Sequence, residues 1–350
     1  MSTDSSTVAD EQGLVPVARL APRLVDATGD PRWASFEVTL IAGGKSNLTY
    51  LLRGDAGELI LRRPPSGDLL PTAHDMAREV RVQRALAGSA VPTPPVALDE
   101  PDPGTIGAPF YVMERVDGHV IRDVMPPAYA DTAAERTRMA DALVDTLVEL
   151  HAVDPPAVGL AGFGRPEGFL DRQVRRWTAQ SLSSRTDEVP ALDELAARLA
   201  RSVPRSARGT IVHGDYRLDN CLMHPTDPGR VAAVLDWELS TLGDPLADLG
   251  LLLLYWPEPG EPEIPLVPTV TGNGGFPGRA HLLDRYAAGS GADLDRVGWY
   301  HAFAQFKFAV IIQGVQARAE AGAMGGQQFA KVDADVVRLA ETGLAILEGP

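Results

Sequence analysis

The 350-residue sequence contains one cysteine, Cys221, so an intrachain disulfide is excluded and a reducing, cytoplasmic compartment is expected. Positive charge is short: 32 Lys and Arg stand against 47 Asp and Glu, for a formal net charge of −15. Nucleic-acid partners need a broad basic footprint and are not expected. A local site can still be electropositive inside an acidic protein, because metal ions and a few cationic side chains set the local field. Long apolar runs are missing too. The richest, Leu249 to Tyr255, is far too short to cross a bilayer. The N-terminal stretch is polar and acidic, with no basic region leading into an apolar core, so neither a membrane partner nor a secretory signal is expected. There is no Gly-x-Ser-x-Gly elbow and no His-Glu-x-x-His pair. Cys221 and His224 have metal-like spacing, with His213 nearby, but structural zinc sites draw on paired cysteines. A packed thiol is the expectation for Cys221.

What is present falls into two halves, as a chain longer than one compact core suggests. Residues 1–11 read as a disordered tail and Leu14 to Val25 as a helix. Phe36 to Ile41 and Leu48 to Arg53 alternate as a hairpin around Gly43 and Gly44, and Glu58 to Arg63 gives a third strand before Pro64 and Pro65. Thr72 to Leu86 has helical spacing, with Thr72 as candidate cap, and Phe110 to Val116 is another strand. Beyond this point helices dominate: Asp131 to His151, Gly168 to Leu182, Leu192 to Val203, Leu246 to Tyr255, Ala280 to Ala288, Leu294 to Ala319 and Val332 to Leu347. Among them lie short strands at Thr210 to Val212 and Val231 to Leu235, and a Pro- and Gly-rich loop at 256–279. The expectation is an α+β, bilobal fold. A small N-terminal β-sheet lobe (12–116) would bind nucleotide, and a larger, mostly helical C-terminal lobe (117–350) would carry catalysis and the acceptor.

The chemistry concentrates in His213-Gly214-Asp215-Tyr216-Arg217-Leu218-Asp219-Asn220, followed by a strand ending at Asp236. Phosphoryl transfer to a hydroxyl needs a carboxylate to orient the hydroxyl and take its proton, oxygen ligands for Mg²⁺, and donors for the phosphates. An Asp and Asn five apart, then an Asp after a hydrophobic strand, is the pattern of a kinase catalytic loop. The segment resembles the His-Gly-Asp-x-x-x-x-Asn motif of the aminoglycoside phosphotransferase-like (choline kinase-like) family, whose fold is protein-kinase-like. Val234 to Leu249 and Phe169 to Trp177 resemble the branch found as kinase-like domains associated with acyl-CoA dehydrogenases. The resemblance runs from about Phe36 onward. It implies that Asp215 is the catalytic carboxylate, that Asn220 and Asp236 are metal ligands, and that His213 and Arg217 support the loop. Asp248, inside an otherwise apolar helix, is expected to tie to that loop by hydrogen bonds.

In the N-terminal half, Gly43, Gly44, Ser46 and Asn47 lie between two strands, where glycines let backbone N–H groups approach phosphates. A Walker A reading fails because Thr39 holds the first glycine position. Kinases place a Lys on the third strand and pair it with a Glu on the next helix. Here the Lys position is Arg62, with Glu79 as the natural partner. Arg binds phosphate oxygens as a fork rather than a point charge. Glu114 and Val116 match the strand that runs into the hinge, where adenine meets backbone. Arg172, Arg175 and Arg176 near Trp177 are either a solvated basic face or a contact for an anionic acceptor.

These readings imply an ATP- and Mg²⁺-dependent kinase with a small-molecule hydroxyl acceptor. A hydroxyacyl-CoA or hydroxy-acid metabolite is implied by the branch, and an aminoglycoside is the alternative. The reading from another class is a catalytically idle nucleotide-binding module, for which the Lys-to-Arg departure is the support. The sequence leaves the oligomeric state open.

Overall fold

The computed structural model describes residues 7–9, 13–41, 47–66, 75–185, 187–206, 208–320 and 333–349. The chain forms two compact units, one made of residues 1–120 and 220–240, the other of 121–219 and 241–350.

In the first unit, β1 (Thr7–Ala9) precedes α1 (Val17–Thr28), which ends where Gly29 takes up the left-handed conformation, φ 69°. Within the stretch 1–11, read above as a disordered tail, Thr7–Ala9 pairs antiparallel with β2. Next come β2 (Phe36–Ile41), β3 (Leu48–Gly54), β4 (Gly57–Arg63), α2 (Met76–Leu86), β5 (Val96–Glu100) and β6 (Phe110–Glu114). The sheet order is β1-β2-β3-β4-β6-β5. Asp75 caps α2, its side chain accepting from the Arg78 N–H at 3.0 Å. Thr72 lies outside the described residues.

Alternation along β4 and β6 gives the sheet two faces. Leu59, Leu61, Phe110 and Val112 pack with Leu20 and Leu24 of α1. Ile60, Tyr111 and Met113 pack with Met76 and Val80 of α2. Arg62 follows Ile60 by two and so shares the α2 face, in register with Tyr111. Arg63, one residue on, is buried on the other side and donates to the carbonyls of Leu14 and Ile106.

Sequence-distant residues 220–240 are tied into this unit by backbone. The links are the two-way Met223–His119 bridge (2.8 and 2.9 Å) and the Val234 N–H to Pro92 carbonyl bond (2.8 Å).

The second unit is mainly helical: α3 (Ala133–Ala152), α4 (Phe169–Ser183), α5 (Pro190–Arg201), then β7 (Thr210–Val212). β8 (Cys221–Met223) and β9 (Val231–Val234) form the hairpin of the first unit. The second unit resumes with β10 (Thr241–Gly243), antiparallel to β7, then α6 (Leu246–Leu254), α7 (Arg279–Ser290), α8 (Val297–Glu320) and α9 (Asp333–Glu348). β5, β8 and β10 were not expected from the sequence. α3 starts at a capping box in which Thr132 and Glu135 satisfy each other's backbone N–H. Leu195, Leu254, Phe306 and Leu339 belong to one core. Trp299, Tyr300, Phe303, Phe306 and Phe308 of α8 are all buried in it. α6 passes close to α8: a Cβ at Gly250 would lie 2.5 Å from the Tyr300 carbonyl oxygen, so glycine is required there.

Candidate functional site

In the first unit, one face of α2 is buried at Met76, Glu79, Val80 and Gln83, the i, i+3, i+4, i+7 stripe of an amphipathic helix. Glu79 replaces an apolar residue in that stripe and its side chain has no exposure, so its charge needs partners. Arg62 Nε lies 3.2 Å from Glu79 Oε2. Tyr111 donates its hydroxyl to the same oxygen at 2.8 Å, and Gln83 donates to that hydroxyl at 3.0 Å. Asn47 Nδ2 donates to Glu79 Oε1 at 3.0 Å and to Glu238 Oε2 at 3.1 Å. Arg62 also reaches Asp236 Oδ1 at 2.9 Å. A surface Arg–Glu pair, worth little, is thereby ruled out as a description.

Burial works against the Arg62 cation, but Glu79, Tyr111, Asp236 and Glu238 more than offset this and hold its pKa above the ordinary arginine value. Burial pushes the Glu79 carboxyl up, against the pull of Arg62. It also drives the Tyr111 hydroxyl well up, with Glu79 adding to the effect.

Asp236 enters this cluster through the β8–β9 hairpin. Cys221 pairs with Val234, and the Leu235 N–H donates to the Asn220 carbonyl at 2.8 Å, so Asn220 and Asp236 share one end of the hairpin. Asp236 has φ 64° and ψ 63°, a left-handed conformation that Asp tolerates better than most residues. That turn starts the short 3₁₀ segment Trp237–Leu239, and Trp237 is fully buried. Carboxylate oxygens of Glu79, Asp236 and Glu238 lie within 4.8 Å of one another. This all-oxygen donor set, two of whose members, Glu79 and Asp236, are paired to Arg62, fits a hard divalent cation rather than a soft one.

In the second unit, β7 leads into His213, Gly214 and Asp215. Asp248, fully buried on α6, accepts the His213 N–H at 2.6 Å and the Gly214 N–H at 2.8 Å, and His151 Nε2 lies 3.3 Å away. His151 Nδ1 in turn meets the Tyr286 hydroxyl at 2.8 Å. Burial alone would raise the Asp248 pKa, but these donors outweigh it and hold the carboxyl below its ordinary value. The Asp215 N–H donates to His213 Nδ1 at 3.3 Å. Asp215 Oδ1 accepts from the Tyr255 hydroxyl at 2.8 Å, and Oδ2 lies 3.4 Å from Arg217 Nε. Arg217 also pairs with Asp219 at 3.0 Å and lies 5.0 Å over the Tyr255 ring. Burial drives the Tyr255 hydroxyl well above its ordinary pKa, and Asp215 adds to this. Tyr255 is therefore protonated and a donor to Asp215.

Of the remaining sequence candidates, Gly43, Gly44 and Ser46 lie outside the described residues. Glu114 ends β6 with its N–H committed to the Pro95 carbonyl at 2.8 Å, and Val116 follows. Arg172 is engaged by the carbonyls of Glu167 and Arg165, and Arg176 lies 5.8 Å over the Trp177 ring. Cys221 is buried. Sequence reasoning missed Glu238, Tyr111, Gln83, Tyr255 and His151. Only Glu238 carried a signal, standing two residues beyond Asp236; the others reach the site by packing alone.

Known proteins with this architecture are numerous. The profile of the phosphotransferase enzyme family matches residues 37–300, and the chain belongs to that family. Among curated proteins, acyl-CoA dehydrogenase family member 11 of Rattus norvegicus is 38% identical over 326 residues, covering 91% of this chain and 41% of the relative. Family member 10 of Mus musculus is 35% identical, over 93% of this chain and 31% of the relative. The chain thus spans about two fifths or less of the length of these relatives. A crystal structure from Ralstonia eutropha, provisionally named an aminoglycoside phosphotransferase, has TM-score 0.76 at 34% identity, covering 90% of this chain and 93% of that one. A macrolide 2'-phosphotransferase type I shares the fold at TM-score 0.59 and 18% identity, over 98% and 99%. Among the described residues no helix is long and apolar enough to cross a membrane.

Proposed function

We propose that this chain transfers the γ-phosphate of ATP to a hydroxyl group of a small molecule, with Asp215 as the catalytic carboxylate. The acceptor oxygen forms the new bond to phosphorus, the bond from phosphorus to the β–γ bridging oxygen breaks, and ADP leaves. Asp215 orients the hydroxyl and takes its proton. The observation that carries this reading is the setting of Asp215. It sits on a loop whose preceding N–H groups are fixed by the buried Asp248, and its own carboxylate accepts from Tyr255 at 2.8 Å. A carboxylate so held keeps its orientation without a substrate to order it.

Arg62 and Glu79, with Gly43, Gly44, Ser46 and Asn47, would fix the phosphates; Glu114 and Val116 would meet adenine. With the Glu114 N–H taken by Pro95, an adenine contact there has to use its carbonyl. Asn220 and Asp236 would hold Mg²⁺, which the all-oxygen donor set beside Asp236 suits. Bound there, the metal would neutralise charge on the phosphate oxygens.

The similarity to acyl-CoA dehydrogenase family members supports a hydroxyacyl-CoA or hydroxy-acid acceptor. The Ralstonia structure's provisional name supports an aminoglycoside instead. A panel assay of ADP release with both acceptor classes separates the two. Asp215→Asn should lower turnover by roughly 10²–10⁴-fold while leaving the affinity for ATP near that of the parent. Unchanged turnover in that variant refutes the assignment. ATP binding with no acceptor-dependent ADP release from the parent protein would instead point to an idle nucleotide-binding module.

A further inference from the structure

Two hydrogen-bond donors of the second unit lie side by side without enough acceptors. Lys307, on α8, donates to the Gly214 carbonyl at 3.0 Å. An ammonium has three N–H groups, and the other two have no protein acceptor among the described residues. The indole Nε1–H of Trp177, on α4, is shut off from water and has no partner there either. The Lys307 Nζ stands over the face of that indole ring, 5.6 Å from its centroid, a cation–π contact that leaves its N–H groups without a hydrogen-bond acceptor beyond Gly214 among the described residues. Nearly all buried N–H groups in native proteins are paired, so an unpaired one beside a half-satisfied cation calls for an explanation, and a ligand oxygen supplies it.

The charges facing Lys307 agree. Loss of water holds its pKa below the ordinary lysine value, Arg176 pushes the same way, and Asp215 and Asp248 oppose them without prevailing. Neither carboxylate bonds to the ammonium. Asp248 is taken up by the His213 and Gly214 N–H groups and His151, and Asp215 by Tyr255 and Arg217. The cation therefore lacks a close anionic partner, one peptide away from the proposed catalytic carboxylate.

We propose that Lys307 Nζ and Trp177 Nε1 form a subsite that receives a carboxylate oxygen of the phosphate acceptor. Naming the ligand as the acceptor rests on the reading of Asp215 given above; the donor pair itself does not. A polycationic acceptor would meet Lys307 and Arg176 with like charge. A carboxylate would complete both donors with charge-assisted hydrogen bonds.

The test is an NMR titration of the full chain with its five tryptophans carrying ¹⁵N in the indole ring, the Trp177 signal being assigned by its loss in Trp177→Phe. Butyrate is the probe, with butyramide and butylammonium as controls. Butyrate should move the Trp177 indole N–H signal downfield in a saturable way, and the controls should not. Lys307→Met, which keeps the length of the side chain, should weaken butyrate at least tenfold, about one charge-assisted hydrogen bond. Absence of saturable movement, equal movement with the controls, or an unchanged response in Lys307→Met overturns the subsite. Asp215→Asn should keep the indole response. If Asp215→Asn also keeps acceptor-dependent ADP release, the catalytic reading fails on its own, and the indole response still decides the subsite.

Discussion

Asp248→Asn should destabilise the protein strongly although it changes one atom. The carboxylate is buried, accepts two backbone N–H groups, from His213 at 2.6 Å and Gly214 at 2.8 Å, and faces His151 Nε2 at 3.3 Å. An amide offers one carbonyl oxygen. Its NH₂ would then oppose one of the two backbone N–H groups, leaving a buried donor without an acceptor. Hydrogen bonds to charged groups contribute about 1.5–3 kcal/mol each, and a stranded buried donor costs about 1–3 kcal/mol. Together these come to about 2.5–6 kcal/mol, which brackets the usual cost of breaking a buried charged pair, about 3–5 kcal/mol. Urea unfolding near neutral pH, followed by tryptophan fluorescence, should show that loss as a lower midpoint with the slope unchanged.

The pH dependence carries the same sign. The folded pKa of Asp248 is held below its ordinary value of 3.8, so its contribution is fully present above that value and fades as pH falls through the folded one. The gap between parent and variant should therefore narrow only in acid. A loss below about 1 kcal/mol at neutral pH, or a gap that does not narrow, refutes the view that Asp248 anchors the loop as an anion.

Arg62→Met strands the Glu79 carboxylate, which has no exposure, and should cost about 3–5 kcal/mol in the same assay. Adding Glu79→Gln should recover a good part of it, and a double variant as unstable as the sum of the two singles argues against a coupled pair. His301 is buried and its pKa is held down to about 3, by burial first and Arg279 second, against Glu261. The unfolded chain protonates this side chain near 6.5, so stability is full above that value and falls as pH drops, by about 2 kcal/mol between neutral pH and pH 5. His301→Gln should remove that slope, and an unaltered slope rejects the assignment.

Much of this was readable before any coordinates. The period-2 alternation of β2, β3 and β4 and the helical stripes of α3 and α5 were legible because burial of one face writes itself into local sequence. The motif from His213 to Asn220, followed by Asp236, was legible because its chemistry needs fixed residue types at fixed spacing along one stretch of chain. β5, β8 and β10 were not. The latter two are three-residue strands, too short to show a period, and β5 is itself irregular, its register on β6 shifting between Val96 and Leu98.

What the sequence determined by itself was the family, the order of most elements and the one loop that gathers the candidate catalytic residues, all properties of residues close together along the chain. Tertiary structure decided the rest. Chain order alone sets 220–240 among helical residues; backbone bonds to His119 and Pro92 tie them to the first unit and carry Asp236 to Arg62. Asp248, His151 and Tyr255 come to the Gly214–Asp215 peptide from separate elements, as does Lys307. A buried charge takes its partners from whatever packs against it, and packing joins residues whose separation along the chain carries no signal.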